Sequence, residues 1–208
     1  MIKVGLTGNR YSGKDKIAKL FEGISIPVFH ADIILKFIIQ YSLEVDSKIK
    51  TQMGASFYSG SNIDSFKFDT TEKFNRLIDI VESDILNAYV KFQLRHSESI
   101  YTIFHSSILF EKGWDKKMDI NLTAFSPKSD RITRAISVNK ELPLTIAHDL
   151  ISKEMYDLDK NHRSTHVIHN YGNDFDISRQ VSIIDQQIID DFLKKEKTVI
   201  KKEKQWTL

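Results

Sequence analysis

The chain has 208 residues, a net charge of +2 and no cysteine, and 41% of its residues are hydrophobic. These values are typical of one globular domain with a buried core; they exclude disulfides and cysteine-bound metal, and so small a charge does not indicate nucleic acid as a partner. No segment has the length of a membrane span and a strand is predicted from residue 2, so we expect no membrane association, no signal peptide and a cytoplasmic location.

Short apolar, β-branched runs alternate with amphipathic stretches along the chain. This alternation predicts an α/β fold with a parallel sheet that is covered by helices on both faces. The predicted strands are residues 2–6, 27–30, 100–104, 120–125 and 166–169. The predicted helices are residues 14–21, 33–40, 71–95, 129–137, 144–156 and 176–195.

Residues 43–95 contain no convincing strand, although they separate the second predicted strand from the third. The stretch 54–62 is rich in glycine and serine, which is typical of a loop. We therefore predict a helical insertion over residues 43–95.

The first fifteen residues carry the strongest functional signal. A predicted strand leads into a Gly-x-x-x-x-Gly-Lys motif, and a predicted helix follows, which is the usual setting of a phosphate-binding P-loop. The two glycines let the backbone curl so that its N–H groups and the positive helix end face a polyphosphate. Lys14 adds a positive charge for the β- and γ-phosphates of ATP. The predicted ATP-binding residues of this segment are Gly8, Asn9, Arg10, Tyr11, Ser12, Gly13, Lys14 and Asp15.

Asp15 stands where the P-loop pattern has Ser or Thr, whose hydroxyl holds Mg²⁺. A carboxylate can also hold Mg²⁺, directly or through water, because hard oxygen ligands suit that ion. Without the metal the same carboxylate would repel the phosphates. We therefore predict that Asp15 positions Mg²⁺ and that nucleotide binding depends on a divalent cation.

The seven histidines show no metal-ligand spacing, so we predict no separate metal site.

Polar residues follow the second and third predicted strands. Asp32 lies at the carboxyl end of the second strand, which is the edge of an open parallel sheet where ligands bind. It could act as a general base toward an acceptor hydroxyl, or it could cap the following helix. Position alone leaves both interpretations open. After the third strand, His105 fits an interior histidine, and Ser106 could either contact metal-bound water or substrate or cap a turn.

Basic residues of the second half are further candidates. Arg131 and Arg134 lie three residues apart on one face of a predicted helix, where a cation could neutralise charge during phosphoryl transfer. Lys160 and Arg163 precede the last strand and could reach the nucleotide. For each of these residues the alternative is an ordinary solvated side chain.

With these pieces in place, the chain resembles the dephospho-coenzyme A kinases along almost its whole length. The similarity lies in the opening strand and phosphate loop, the acidic motif, the insertion, the segment after the third strand and the passage into the last strand. The segments that carry it are Lys3-Val4-Gly5-Leu6-Thr7-Gly8 with Ser12-Gly13-Lys14 and Ala18-Lys19-Leu20-Phe21; Ile26-Pro27-Val28 with Ala31-Asp32; Asn62-Ile63-Asp64 with Phe68 and Leu77-Ile78-Asp79-Ile80; Ile108-Leu109-Phe110-Glu111; and Lys160, Arg163, Val167-Ile168 and Asn170-Tyr171-Gly172.

The resemblance implies ATP-dependent phosphorylation of the ribose 3′-hydroxyl of dephospho-coenzyme A, with Mg²⁺. It implies Lys14 on the phosphates and Asp32 as the base. Arg134, or Arg131, would close over the transferred group, and Arg163 would bind ATP. The implied catalytic residues are Lys14, Asp32 and Arg134.

The fold implied is the three-layer αβα fold of P-loop kinases, with a five-stranded parallel sheet. The first strand should be central, with the second and third strands on one side of it. We predict a single domain over residues 1–208, with the substrate-binding insertion at about 43–95 and a lid at about 130–163. The oligomeric state is left open.

The chain departs from the family pattern at several places besides Asp15. The phosphate and acidic motifs are kept, whereas the substrate-side and lid motifs differ. This pattern suits a divergent dephospho-coenzyme A kinase or a relative with another acceptor. The departures are Glu82-Ser83 for His-Pro, Asn139-Lys140 for the lid Arg-Asp, Glu154 for Gln and His169 for Asp.

Two alternatives follow from these departures. Ser12-Gly13-Lys14-Asp15 resembles the loop of virus-encoded deoxynucleoside monophosphate kinases and of phosphomevalonate kinases, although over only a few residues. The acceptor could therefore be a nucleoside monophosphate or another small phosphorylated molecule. Loss of the lid Arg-Asp would also suit a nucleotide-binding module without efficient chemistry, whereas the retained Asp32 argues against that interpretation.

Overall fold

The computed structural model describes residues 1–59, 62–63 and 71–206. Asp64 and Phe68, which carry part of the family resemblance, lie outside the described residues. The chain forms two compact units, one of Met1–Val28 with Ser97–Leu208 and the other of Phe29–His96. The predicted insertion lies within the second unit.

Strands and helices alternate along the chain as predicted. Among the described residues, no helix combines the length and the apolar character needed to cross a membrane. The strands are β1 (Ile2–Thr7), β2 (Val28–His30), β3 (Tyr58–Ser59), β4 (Asn62–Ile63), β5 (Tyr101–His105), β6 (Ile120–Phe125) and β7 (His166–His169). The helices are α1 (Lys14–Gly23), α2 (Ala31–Tyr41), α3 (Leu43–Met53), α4 (Thr71–Arg95), α5 (Lys128–Val138), α6 (Leu144–Ser152), α7 (Asp157–Arg163) and α8 (Asp174–Trp206), with short 3₁₀ helices at Ala55–Phe57 and Trp114–Lys117.

The main sheet has five strands in the order β2-β5-β1-β6-β7. Strand β1 pairs in parallel with β5 and β6, and β6 pairs in parallel with β7. The three-layer α/β fold and the central position of the first strand are therefore confirmed, as is the placement of the second and third predicted strands on one side of it. Because these strands are parallel, the carboxyl ends of β1, β5 and β6 meet at one edge, and the phosphate loop begins there.

The core of the first unit surrounds the central strand. Val4 and Leu6 of β1 are fully buried, and α1 and α8 pack their apolar faces into the same cluster. Burial of each such side chain contributes about 1.5–3 kcal/mol to the stability of the fold. Strand β1 and helix α1, which flank the phosphate loop, are therefore firmly anchored. The other members include Ile17, Ala18, Phe21, Val28, Tyr101, Ile103, Leu122, Ala124, Ile168, Ile177, Val181, Ile184 and Ile188.

The second unit is mainly helical. Helices α2 and α3 both contact the long helix α4, whose bounds match the prediction. Phe29 lies against the rings of Tyr89 and Phe92, with centroids 5.3 and 5.5 Å away. The prediction of no strand in this region is wrong in one detail, because β3 and β4 form a short antiparallel pair at the end of the predicted loop, two residues in each strand.

The predicted helix over residues 144–156 is two helices, α6 and α7. Helix α6 ends before Lys153, and Tyr156 has an extended backbone with φ −60° and ψ 136°. The residues around this break direct two carboxylates, Glu154 and Asp157, to the guanidinium of Arg131. A contact with a distant residue therefore overrides the local helical pattern.

Tyr101 connects the sheet to α8. Its ring is buried, and its hydroxyl donates a 2.6 Å hydrogen bond to Oδ1 of Asp185. Burial, together with the hydrogen bond to this carboxylate, raises the pKa of Tyr101 far above its ordinary value. The folded protein therefore keeps this proton at a pH where an unfolded tyrosine loses it.

We predict that Tyr101→Phe lowers the free energy of unfolding near pH 7 by about 1.5–3 kcal/mol, the usual contribution of a hydrogen bond to a charged group. Above about pH 10, the ordinary pKa of tyrosine, the unfolded chain binds fewer protons than the folded one. The stability contributed by Tyr101 should therefore fall as the pH rises from there. Urea unfolding between pH 7 and 11 measures both effects.

The exposed Tyr41 provides the control. Tyr41→Phe should leave the unfolding curve unchanged near pH 7. Equal stability of Tyr101→Phe and the parent protein at neutral pH would contradict the prediction.

Candidate active site

The phosphate loop runs from the end of β1 to the start of α1 with a tight backbone. The N–H of Ser12 donates to the carbonyl of Asn9 at 3.1 Å, which closes a turn inside the loop. Gly13 caps α1 in the left-handed region at φ 85°. A Cβ atom at Gly13 would lie 1.8 Å from Nδ2 of Asn170, so both conformation and space require glycine. The first N–H groups of α1 lack helical partners and suit an anion.

Three side chains hold the carbonyl groups in the second half of the loop. Nη1 of Arg134 donates to the carbonyl of Tyr11 at 3.0 Å, and Nδ2 of Asn170 donates to that of Ser12 at 2.7 Å. The hydroxyl of Ser126 lies 3.0 Å from the same Ser12 carbonyl. In a planar trans peptide the N–H points opposite to the C=O. The N–H of Gly13 therefore faces away from these donors.

The first half of the loop is held by the segment between α6 and α7. Nδ2 of Asn9 donates to the carbonyl of Met155 at 2.9 Å and to Oδ1 of Asp157 at 2.7 Å. The N–H of Arg10 donates to Oε1 of Glu154 at 2.7 Å. Both carboxylates bind the guanidinium of Arg131, and we call Arg131, Glu154 and Asp157 the Arg131 cluster.

Charged groups meet at the start of α1. Nζ of Lys14 lies 3.8 Å from Oδ2 of Asp15, and the side chain of Asp15 is 73% exposed. Nε2 of His105 lies 3.4 Å from Oδ1 of Asp15. His105 is buried, as expected for an interior histidine, but it also reaches the phosphate loop. No motif or periodicity predicts this contact, which depends on the pairing of Leu6 with His105 in neighbouring strands.

Asp32 belongs to the second unit, where it is half-buried in the first turn of α2. The residue that caps this helix is His30. Asp32 is therefore not the helix cap, and that alternative interpretation is wrong. The predicted role of Asp32 as a base stays a prediction.

The candidate arginines and Lys160 all have specific partners. Arg134 donates from Nη2 to the carbonyl of Asn170 at 2.7 Å, in addition to its bond to the loop. Arg131 is only 2% exposed, so it is not a solvated surface residue. The predicted roles of Arg131 and Arg134 at the transferred phosphoryl group stay predictions. Nζ of Lys160 is equally buried and lies 2.8 Å from Oε1 of Glu111.

Arg163 supports the segment that follows β5. Its Nη2 lies 2.9 Å from Oδ2 of Asp115, and its guanidinium lies over the ring of Phe110 at 4.5 Å. The same nitrogen donates to the Phe110 carbonyl at 3.3 Å. These contacts give Arg163 a structural role in the first unit, and its predicted contact with ATP stays a prediction.

A protein-family model described as dephospho-CoA kinase matches residues 2–176. The chain belongs to this family. Its members are ATP-dependent phosphotransferases, and the phosphate loop, Asp32 and the candidate arginines all lie within the matched range. The chain is 27% identical over 186 residues to the dephospho-CoA kinase of Fusobacterium nucleatum, a match that covers 86% of this chain and 94% of that protein.

Two solved structures have a fold similar to that of this chain. The Thermus thermophilus protein TT1252 aligns with a TM-score of 0.75 at 22% identity, over 89% of this chain and 97% of that one. The dephospho-CoA kinase from Campylobacter jejuni aligns with a TM-score of 0.53 at 15% identity, over 89% and 96% of the two chains. These likenesses support the P-loop kinase architecture across most of the chain.

We predict that Lys14→Ala weakens ATP binding by about 10- to 100-fold, because charge-assisted contacts to the phosphates are lost. The fold should persist, since the side chain of Lys14 is not part of the apolar core. Isothermal titration calorimetry measures the affinity, and circular dichroism checks the fold.

Lys16→Ala is the matched control. Lys16 lies on the same helix, but its ammonium pairs with Asp174. This variant should bind ATP like the parent protein. Equal ATP affinity of Lys14→Ala and the parent would overturn the assignment of the phosphate loop.

Proposed function

We propose that this protein transfers the γ-phosphoryl group of ATP to the 3′-hydroxyl of dephospho-coenzyme A. The observation that carries the proposal is the family match over residues 2–176, which spans both the phosphate loop and Asp32. Phosphoryl transfer needs little covalent work from the protein, so the positions and charges of the binding groups supply most of the rate.

The triphosphate would bind to the N–H groups of the loop and of the first turn of α1. This role is supported by the left-handed Gly13 and by the hydrogen bonds that turn the Tyr11 and Ser12 carbonyls toward other side chains. Lys14 would bind the β- and γ-phosphates. Nη1 of Arg134 lies 3.7 Å from where a Cβ of Gly13 would be, so its positive charge is close to the loop.

Asp15 is our candidate for positioning Mg²⁺. A nucleotide-bound Mg²⁺ takes most of its ligands from phosphates and water, and only one or two from carboxylates. The described residues contain no group of three or more His, Asp or Glu side chains that could hold a metal ion. A nucleotide-bound Mg²⁺ does not require such a group. The largely exposed carboxylate of Asp15 at the start of α1 fits this need. The bound ion would supply neutralisation of phosphate charge, while Lys14 and His105 would restrain the carboxylate.

Asp32 would accept the proton of the acceptor hydroxyl as the new O–P bond forms and ADP leaves. This role is supported by the position of Asp32 in the first turn of α2, two residues after the end of β2. The helix dipole stabilises a carboxylate at that position. The family resemblance also implies a substrate-binding role for the helical insertion. Arg163 would approach the nucleotide if its bond to Asp115 is exchanged for a phosphate contact.

A second candidate acceptor is a deoxynucleoside monophosphate. The observation that favours it is Asp15 directly after Lys14, which resembles the loop of kinases for that substrate class. A third possibility is nucleotide binding without efficient transfer. One acceptor screen distinguishes the three, because each expects a different set of phosphorylated products.

We predict that removal of Mg²⁺ weakens ATP binding to the parent protein by about tenfold or more, because the Asp15 carboxylate then repels the phosphates. Asp15→Ser restores the usual hydroxyl and should retain metal-dependent binding with a smaller loss on chelation. Calorimetry in excess Mg²⁺ and in EDTA measures both proteins.

The control is Asp174→Asn, which removes an exposed carboxylate paired with Lys16 on α1. Its metal dependence should equal that of the parent. Unchanged ATP affinity of the parent in EDTA would show that Asp15 does not face the phosphates.

We predict that Asp32→Asn keeps ATP affinity within about threefold and lowers kcat by about 100-fold or more, as expected for loss of a general base. ADP release coupled to an optical assay measures turnover with dephospho-coenzyme A and, in parallel, with deoxynucleoside monophosphates. Asp191→Asn is the control, since Asp191 is an exposed carboxylate of α8 that pairs with Lys194.

Turnover of Asp32→Asn at the parental rate would remove Asp32 from the mechanism. Transfer by the parent protein to a deoxynucleoside monophosphate, and not to dephospho-coenzyme A, would replace the proposed acceptor. Binding of ATP without transfer to either acceptor would favour the non-catalytic interpretation.

A further inference from the structure

The first half of the phosphate loop is connected to a distant part of the chain by several hydrogen bonds. The side-chain amide of Asn9 uses both of its hydrogens, on the carbonyl of Met155 and on Asp157. The backbone N–H of Arg10 is taken by Glu154. Asn9 is buried, so these bonds are protected from competition with water. Three groups of one short segment therefore contact two consecutive loop residues.

Arg131 holds the two carboxylates of this segment in place. Its Nη1 lies 2.7 Å from Oε2 of Glu154, and its Nη2 lies 2.8 Å from Oδ2 of Asp157. Charge-assisted bonds of this length are among the strong ones in proteins, and the buried guanidinium gives them a fixed geometry. Nη1 also donates to the carbonyl of Arg10 at 3.4 Å. The Arg131 cluster thus binds both the N–H and the C=O of Arg10.

These contacts use loop atoms that would otherwise need other partners. A loop residue that is fixed on folding does not have to lose its conformational freedom when the ligand binds, and this raises affinity. Asn9 and Arg10 lie between the two motif glycines, where the loop has no further glycine and is set by outside contacts. The outside contacts of this half come from the Arg131 cluster and from the carbonyl of Met155.

We infer that the Arg131 cluster is a positioning device for the phosphate loop, which gives Asn9 and Arg10 their nucleotide-binding shape before ATP arrives. Arg131, Glu154 and Asp157 act through these two residues and need not touch the nucleotide. The inference rests on the proposed nucleotide site but adds residues that the phosphate-loop motif does not contain. Because coupling between two sites is reciprocal, bound ATP must stabilise the segment 154–157 by the same free energy by which that segment strengthens ATP binding.

The test is Glu154→Ala compared with Glu154→Gln. The alanine variant removes the acceptor for the Arg10 N–H, whereas glutamine keeps an oxygen at the same reach. We expect Glu154→Ala to raise the Kd for ATP by about 5- to 50-fold, and Glu154→Gln to recover most of that loss. The KM for the acceptor should stay unchanged. Glu141→Ala, which removes an exposed carboxylate between α5 and α6, should bind ATP like the parent.

Hydrogen–deuterium exchange provides a readout that a purely structural role would not move. In the parent protein, ATP should slow exchange in peptides that cover residues 153–158. In Glu154→Ala this ATP-dependent protection should be lost or greatly reduced. Equal protection in both proteins would overturn the inference.

A second variant keeps the test decisive if Glu154→Ala does not fold. Asn9→Ala removes the loop side of the contacts and leaves the ion pairs of Arg131 intact, and it should also weaken ATP binding. If a folded Glu154→Ala or Asn9→Ala protein binds ATP with the parental affinity, the inference is overturned while the proposed function stands. Failure of the parent protein to bind ATP would overturn the proposed function together with it.

Discussion

The hydrogen bonds made to the backbone of the phosphate loop are the constraint on which the rest of the site depends. A backbone that is to present its N–H groups to an anion must have its carbonyl groups satisfied elsewhere. Arg134, Ser126 and Asn170 meet this need for the second half of the loop. Because β1 and α1 are anchored in the apolar core on either side, the loop cannot relax by moving its ends.

The sheet determines which side chains can reach this loop. Since β5 and β6 flank β1 in parallel, His105 at the end of β5 and Ser126 directly after β6 come to the same edge as the loop. Asn170 follows β7, the next strand outward, and its N–H donates to the carbonyl of Phe125 at 2.7 Å. Strand order therefore brings residues that are far apart in sequence to the same edge of the sheet as the phosphate loop.

Periodicity and motif predicted the parts of this molecule that depend on local sequence. The bounds of β6, β7 and α4 match the prediction, because their apolar patterns are regular and long enough to be read without tertiary information. The break between α6 and α7 and the burial of Arg131 could not be predicted in this way. An arginine is normally exposed, and only its two carboxylate partners, which lie far along the chain, explain why this one is not.

Most of helix α8 lies beyond the residues that the family model matches. The family match ends at residue 176, yet Ile177, Val181, Ile184 and Ile188 of this helix are buried in the same core as the central strand. Tyr101 of β5 is also bound to it through Asp185. The family model therefore ends before the hydrophobic core does, and a fragment cut at residue 176 would lose the side chains that α8 contributes to that core.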